Sequence, residues 1–431
     1  MLLHWYINLF LFFKIVVLYK MMKSKTTIIK PNLGVEKHVR YKLEHLFAVK
    51  DPEFLRCMGH MLGPGIISGN KIKALQNGDS IFPAMLEAIK RAKKTISFET
   101  YVYWSGDIGQ KFYHALSERC RAGVKVHMIL DWVGTERMDK EYIENMKAAG
   151  VEIEKYHPPR WYNFNRMNNR THRKLLIVDG KIGFIGGVGI ADEWEGNAQD
   201  KTHWRDSHYQ IEGPVVAQMQ AVFNDNWINT RSKVLVGNNY FPELKPFAGG
   251  VRAQVIKSTR FSSENVRLMN LLSISSAVKN VRLQAAYFVP DNLAIKTLVA
   301  AKNRGVDVEI IVPGPYIDRR VLQEASRSLW GVLLDAGVKI YEYQPTMYHC
   351  KVIIVDDFLV SVGSTNFDDR SFRLNDEANI NIYDHKFAAE QIKVFEDDIS
   401  KSRLMTKADF KDRSRTSKVS GRLARVLRKE M

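Results

Sequence analysis

The chain repeats itself. TISFETYVYW is followed by CRAGVKVHMILD, AAGVEIEKYHPP and THRKLLIVDGKIGFIGG; later VRLQAAYFVP, KNRGVDVEIIVPG, DAGVKIYEYQP and YHCKVIIVDDFLVSVGS appear in the same order. Gly123 precedes His172 by 49 residues and Gly305 precedes His349 by 44, the first copy carrying extra residues around 158–169. Two copies of similar length predict two similar domains facing each other across a pseudo-twofold axis. Short β-branched runs predict strands over 95–104, 124–130, 281–289 and 306–312, with amphipathic helices over 108–122 and 293–304. Strands separated by helices imply α/β units with mostly parallel sheets. The turn formers of NNYFPELKPFAGG predict a linker at 236–252 between a first domain at 75–235 and a second at 253–400, with 23–74 as a lead-in.

At the same place in each copy stands His-x-Lys-x4-Asp: His172, Lys174 and Asp179 in THRKLLIVD, and His349, Lys351 and Asp356 in YHCKVIIVD. Strand side chains alternate between faces, so His and Lys two apart project the same way. The intervening Cys350 then points into the core, as a small buried residue. A single such motif is weak, because a histidine on a strand is usually structural. Two at equivalent positions reverse that reading, since a buried lysine is costly unless it meets an anion. Two histidines and two lysines on a pseudo-twofold axis suit a phosphate group. The lysines neutralise phosphoryl oxygens, one imidazole attacks phosphorus and the other protonates the leaving oxygen. That is double displacement through a phosphohistidine, with no metal and no organic cofactor expected. Asp206 in HWRDSH, 34 residues after His172, and Glu377 in RLNDEANI, 28 after His349, are the carboxylates expected to orient the rings.

With FIGGVGIADEW and WRDSHYQIEGPVV after the first motif, YFVPD before the second and GSTNFDDRSF after it, residues 84–400 resemble the phospholipase D superfamily, specifically its bacterial cardiolipin synthases. The resemblance implies two phospholipase D-like α/β domains with one active site at their interface. It assigns phosphate binding to Ser364 and Asn366 and places Asp179 and Asp356 behind the catalytic set in support. It gives the attacking role to His172 and acid–base work to His349, an assignment the pseudosymmetry makes reversible. It also implies phosphatidyl transfer, two phosphatidylglycerols giving cardiolipin and glycerol. Hydrolysis to phosphatidic acid is the alternative, because the same residues serve when water enters. The first copy departs from the pattern, with Gly187 and Gly189 where the second has Ser364 and Asn366.

Charge bears on the partner. Lys and Arg number 64 against 47 Asp and Glu, a net +17, and residues 401–431 hold +8 of it. Leu423, Val426 and Leu427, flanked by Arg422, Arg425, Arg428 and Lys429, form either a helix that lies on an anionic membrane or a solvated tail. Anionic phospholipids and a membrane surface are the expected partners. A basic groove would also suit a nuclease, but the charge sits in the tail and no nucleic-acid module is present, so nucleic acid is not expected. A catalytically dead scaffold predicts an eroded motif, and both motifs are intact. Residues 1–22 are apolar but interrupted by Lys14, at about 2.5–3.5 kcal/mol for a mid-span lysine. They are either a membrane anchor or an over-extended start. As an anchor, with Lys20, Lys23 and Lys25 behind it, the segment would leave the catalytic domains on the cytoplasmic side. Trp161 and Tyr162, in the inserted loop, are the best placed aromatics for a membrane interface. The three cysteines are too scattered for a disulfide framework or a cysteine-based zinc site. The sequence does not set the oligomeric state.

Overall fold

Dense Val, Ile and Leu in the repeated segments give strands buried on both faces. The first half contains β1 (Ile67–Gln76), β2 (Thr95–Thr100), β3 (Lys125–Asp131), β4 (Glu152–Tyr156), β5 (Leu175–Val178), β6 (Ile182–Gly186) and β7 (Ser207–Glu212). The second contains β8 (Val251–Ser258), β9 (Asn280–Ala285), β10 (Phe288–Val289), β11 (Asp307–Pro313), β12 (Lys339–Tyr343), β13 (Lys351–Val355), β14 (Leu359–Gly363), β15 (Phe367–Asp368) and β16 (Glu377–Tyr383), followed by β17 (Ser402–Met405). The structure is a computed structural model that describes residues 45–158, 168–259 and 264–413. The segment 1–22, Trp161 and Tyr162, and the basic stretch around Leu423 lie outside the described residues.

Apart from the β10–β15 pair, the strands join in one 15-stranded sheet. From the β1–β8 seam outward the order is equivalent on both sides: β1-β7-β6-β5-β2-β3-β4 and β8-β16-β14-β13-β9-β11-β12. The repeat is therefore a pseudo-twofold of strands within a continuous sheet, and the described residues belong to one compact body. β1, inside the stretch read as a lead-in, pairs with both β7 and β8 at the centre. Residues 234–250 cross between the halves without helix or strand.

The expectation of mostly parallel sheets is corrected. Only β2–β3–β4 and β9–β11–β12 run parallel; every other neighbouring pair in this sheet is antiparallel. The βαβ reading holds for the opening strands of each half and fails where hairpins take over. β5 turns into β6 over Asp179 and Gly180, with φ of 54° and 62°, and β13 into β14 over Asp356 and Asp357, with φ of 53° and 54°. Left-handed backbone at Asp and Gly is the chemistry of a hairpin turn, not of a crossover.

Alternation along the strands feeds separate cores. Leu176 and Val178 face the helices Asn77–Arg91 and Asp107–Arg121, with Phe82, Phe112 and Met128. Ile353 and Val355 do the same beneath Asn265–Ser275 and Asn292–Asn303. Leu175, Ile177, Ile354 and Ile380 point to the other face, where Val216–Arg231 and His385–Ser400 contribute Met219, Trp227, Phe387 and Phe395 to one cluster under both halves. That shared core ties the copies together. Because β5 runs antiparallel to β2, the entry to β5 lies beside the exit of β2, with Glu99 opposite Leu175. The entry to β13 likewise lies beside the exit of β9, with Lys351 opposite Ala285. Carboxyl ends of parallel strands are where α/β sheets place ligands.

Candidate active site

Both motif histidines sit on the short segments that enter β5 and β13, and each is fastened to the opposite half. His172 N–H donates to Asp376 O at 2.9 Å, and His349 N–H donates to Arg205 O at 2.8 Å. Single bridges, Thr171 with Asp376 and Arg205 with Tyr348, make the crossing symmetric. All four motif side chains are buried, with His172 8%, Lys174 3%, His349 5% and Lys351 5% exposed.

The carboxylates cross as well. Their order along the chain suggests that Asp206 serves His172 and Glu377 serves His349; the geometry reverses this. His172 Nδ1 lies 3.0 and 3.1 Å from the two oxygens of Glu377, and His349 Nδ1 lies 2.7 Å from Asp206 Oδ2. Gly186 pairs with His208 and Gly363 with Asn379, which makes Asp206 and Glu377 equivalent positions, each one residue before or at the start of its strand. An ionised carboxylate only accepts, so Nδ1 carries the proton and Nε2 of each ring keeps its lone pair.

These groups set each other's charge. Burial lowers His172 to about 4, Glu377 partly opposing it, and burial together with the Lys351 charge lowers His349 to about 3. Burial, then repulsion from Lys351, brings Lys174 down to about 7, and burial lowers Lys351 too. Burial works against ionisation of Asp206 and Glu377, but the adjacent histidines and lysines outweigh it and hold both below the usual carboxylate range. Lys174 Nζ donates to His172 O at 2.8 Å, and Lys351 Nζ lies 2.9 and 3.1 Å from the ring nitrogens of His349. With both rings neutral, the charges of the two lysines are matched by Asp206 and Glu377, and Lys174 faces an open space.

That space is a cavity of about 220 Å³ lined by His172, Lys174, His349 and Asn366. Asn366 Oδ1 is buried without a hydrogen-bond partner among the described residues. Ser364, expected to bind phosphate, does something else. Its hydroxyl donates to Glu377 Oε2 at 2.5 Å and accepts from Ala378 N–H at 3.1 Å, so it braces the carboxylate behind His172. Gly187 is its counterpart. A Cβ there would stand 2.2 Å from Asp206 Oδ1, and in place of a serine Asp206 is held by Trp194 Nε1 at 3.0 Å and Ser207 N–H at 2.8 Å.

Asp179 and Asp356, the last residues of the motif and expected behind the catalytic set, stand well away from it. Each lies at the far end of its strand and accepts from three successive backbone N–H groups: Lys93, Lys94 and Thr95 for Asp179, Val278, Lys279 and Asn280 for Asp356. They fasten the starts of β2 and β9. Over five residues of extended chain, that is roughly 16 Å from the motif lysine. Cys350 is fully buried, as expected.

Aromatic rings close the walls. Tyr101 meets His172 edge-on at 5.2 Å, and Trp194 and Trp204 flank His349 at 5.3 and 5.5 Å. Sequence reasoning missed Trp204 and the wall arginines Arg137, Arg170, Arg319 and Arg370. Arg170 stands two residues before His172 and Arg370 lies within GSTNFDDRSF, so proximity to the motifs was the available signal. Among the described residues, no cluster of three or more His, Cys, Asp or Glu could hold a metal ion.

The model of a cardiolipin synthase, phospholipase D-like domain matches residues 85–227 and again 271–399. The cardiolipin synthase A of Pseudomonas fluorescens is 31% identical over 377 residues, 86% of this chain and 78% of that protein. Cardiolipin synthase 2 of Bacillus anthracis is 35% identical over 371 residues, 85% of this chain and 72% of that one. The crystal structure of Haemophilus influenzae phosphatidylserine synthase superposes with a TM-score of 0.68 at 13% identity, covering 85% of this chain and 97% of its own, which shows a shared fold. The duplicated sheet, the twin motifs and these matches agree, and the chain belongs to the cardiolipin synthase branch of the phospholipase D-like enzymes.

Proposed function

We propose that the protein transfers a phosphatidyl group from one phosphatidylglycerol to another, giving cardiolipin and glycerol, through a phosphohistidine on His172. The crossed pair of carboxylate-held histidines lining one cavity with Lys174, each with a buried lysine two residues on, is the observation that carries this reading. The donor's phosphodiester enters between Lys174 and Lys351. Its negative charge lets His349 take up the proton that burial otherwise denies it. His172 Nε2 then attacks phosphorus, the bond from phosphorus to the glycerol oxygen breaks, and His349 protonates that oxygen. In the second half the acceptor hydroxyl attacks phosphorus, its proton returns to His349, and the phosphorus–nitrogen bond breaks. Asp206 and Glu377 keep each ring in the tautomer that leaves Nε2 available.

Exposed apolar and basic side chains share the rim of the cavity: Val133, 41% exposed, with Arg137 and Arg319. In this reading the rim meets the surface of an anionic membrane from the cytoplasmic side, attachment being peripheral or through a single anchor. Among the described residues no helix is long and apolar enough to cross a membrane.

The test uses purified protein with labelled phosphatidylglycerol in mixed micelles and chelator, products resolved by mass. Cardiolipin and glycerol from the wild type, none from His172→Ala, and a phosphatidyl-enzyme trapped by acid quench support the reading. Phosphatidic acid alone would make the protein a hydrolase.

A further inference from the structure

We propose that Arg170, Arg319 and Arg370 form a second anion subsite beside His172, which receives the phosphodiester of the acceptor lipid. The inference rests on phosphatidyl transfer as the reaction and identifies what selects the acceptor. During the second half of that reaction two phosphates occupy the cavity: one bonded to His172, the other carried by the incoming phosphatidylglycerol. The lysine pair serves the first. The acceptor's hydroxyl is separated from its own phosphate by three carbons, so the second phosphate must be held close by.

The three arginines share a cavity wall with Tyr101, whose ring meets His172 edge-on at 5.2 Å. All three line the same cavity as His172. Two are set in place from behind. Arg370 donates to Asn168 Oδ1 and O, both at 2.9 Å, and Arg170 donates to His157 O at 3.3 Å and lies 3.5 Å from Asp131. The guanidinium of Arg319 makes no hydrogen bond or ion pair to the described residues. Asp318 and Asp368, which accept from the Tyr287 hydroxyl at 2.8 Å and from Ser371 N–H at 2.7 Å, lie near enough for their charges to favour the cation of Arg319. Burial outweighs the pull of Tyr101 and Asp368 and, with the like charges of Arg319 and Arg170, depresses Arg370. Guanidinium forks match phosphate oxygens in geometry and charge, and the prior placement of Arg170 and Arg370 lowers the cost of binding.

The experiment sets two acceptors in competition. Purified full-length protein is given labelled phosphatidylglycerol with ethanol, so that cardiolipin requires an acceptor bearing a phosphate and phosphatidylethanol does not. Arg319→Ala is expected to lower the ratio of cardiolipin to phosphatidylethanol by roughly ten- to a hundredfold, the scale of one charge-assisted hydrogen bond, and Arg319→Lys to recover part of it. Inorganic phosphate and glycerophosphoglycerol are then added separately. Suppression of cardiolipin by glycerophosphoglycerol at concentrations where phosphate has no effect assigns the subsite to a lipid headgroup. Equal suppression by phosphate makes it a general phosphate site and overturns the assignment to the acceptor lipid. An unchanged product ratio in Arg319→Ala, with both products falling together, overturns the subsite while leaving phosphatidyl transfer standing. Wild-type protein that makes phosphatidylethanol and no cardiolipin overturns the function, and the subsite with it.

Discussion

Replacing Glu377 by Gln is the sharpest test of the crossed site. The change keeps the shape of a fully buried side chain and removes its charge. Glu377 now accepts from His172 Nδ1 through both oxygens and from Ser364. An amide in the same place can turn its NH2 toward Nδ1, which then becomes the acceptor, and the ring proton moves to Nε2, where the lone pair is needed. When a carboxylate holding a catalytic histidine is amidated in this way the loss is roughly 10⁴-fold in kcat, about 5 kcal/mol. Protonation does not explain such a loss. Glu377 raises the basicity of His172, which burial already holds at about 4, so the ring stays neutral at pH 7 in either form. The deficit should therefore persist from pH 6 to pH 9. The assay is quench-flow release of glycerol from labelled phosphatidylglycerol at enzyme concentrations comparable to substrate. With His172 as nucleophile, Glu377→Gln loses the initial burst. Asp206→Asn, which touches His349, slows both halves of the reaction. A Glu377→Gln enzyme within tenfold of wild-type kcat, with an unchanged melting temperature, would show that Glu377 does not set the tautomer of His172.

Other substitutions separate roles that sequence places together. Gly187→Ala puts a methyl group 2.2 Å from Asp206 Oδ1, so the carboxylate must shift away from His349; kcat should fall by about a hundredfold with KM little changed, as expected when one positioning contact is displaced. Asp356→Ala leaves three backbone N–H donors at the start of β9 unpaired and should cost roughly 2–4 kcal/mol in urea unfolding, while the folded fraction keeps near-normal kcat; loss of kcat without loss of stability would return Asp356 to the chemistry. Lys174 titrates near 7 in the fold against its ordinary 10.5, so between those values the unfolded chain binds more protons and stability rises with pH. Lys174→Met should flatten that part of the pH–stability curve, as followed by thermal melts; an unaltered slope would mean that Lys174 is charged in the folded protein.

The part of this site legible in the sequence is what the repeat carries. Equivalent strings at equivalent spacing expose His172, Lys174, His349 and Lys351, because the chemistry needs both copies and sequence shows both. The strand direction was hidden for a physical reason: a βαβ unit and a hairpin use the same β-branched runs, and only the Asp-Gly turn at 179–180 separates them. The contact of the Ser364 hydroxyl with Glu377 was hidden because the two lie 13 residues apart and meet only in the folded sheet. Arg319 was invisible, since an arginine after a strand acquires meaning only when the fold brings it to Tyr101.

Crossing explains why the two copies belong in one sheet. Had each histidine used the carboxylate of its own copy, each half would hold a complete dyad and the seam would only bring two lysines together. Instead His172 takes both its backbone acceptor and its carboxylate from the second half, Asp376 O and Glu377, and His349 takes Arg205 O and Asp206 from the first. A displacement along the seam would therefore disturb the tautomer of both rings at once, even if each half stayed folded. The β1–β8 pairing, irregular between Ile67 and Asn70, and the core shared by Val216–Arg231 and His385–Ser400 resist that displacement. The ion pair of Arg205 with Asp398, at 2.9 and 3.0 Å, pins the residue that precedes Asp206 to the C-terminal helix of the other half. Buried polar contacts thus hold the register between the halves, and that register fixes the carboxylate behind each histidine.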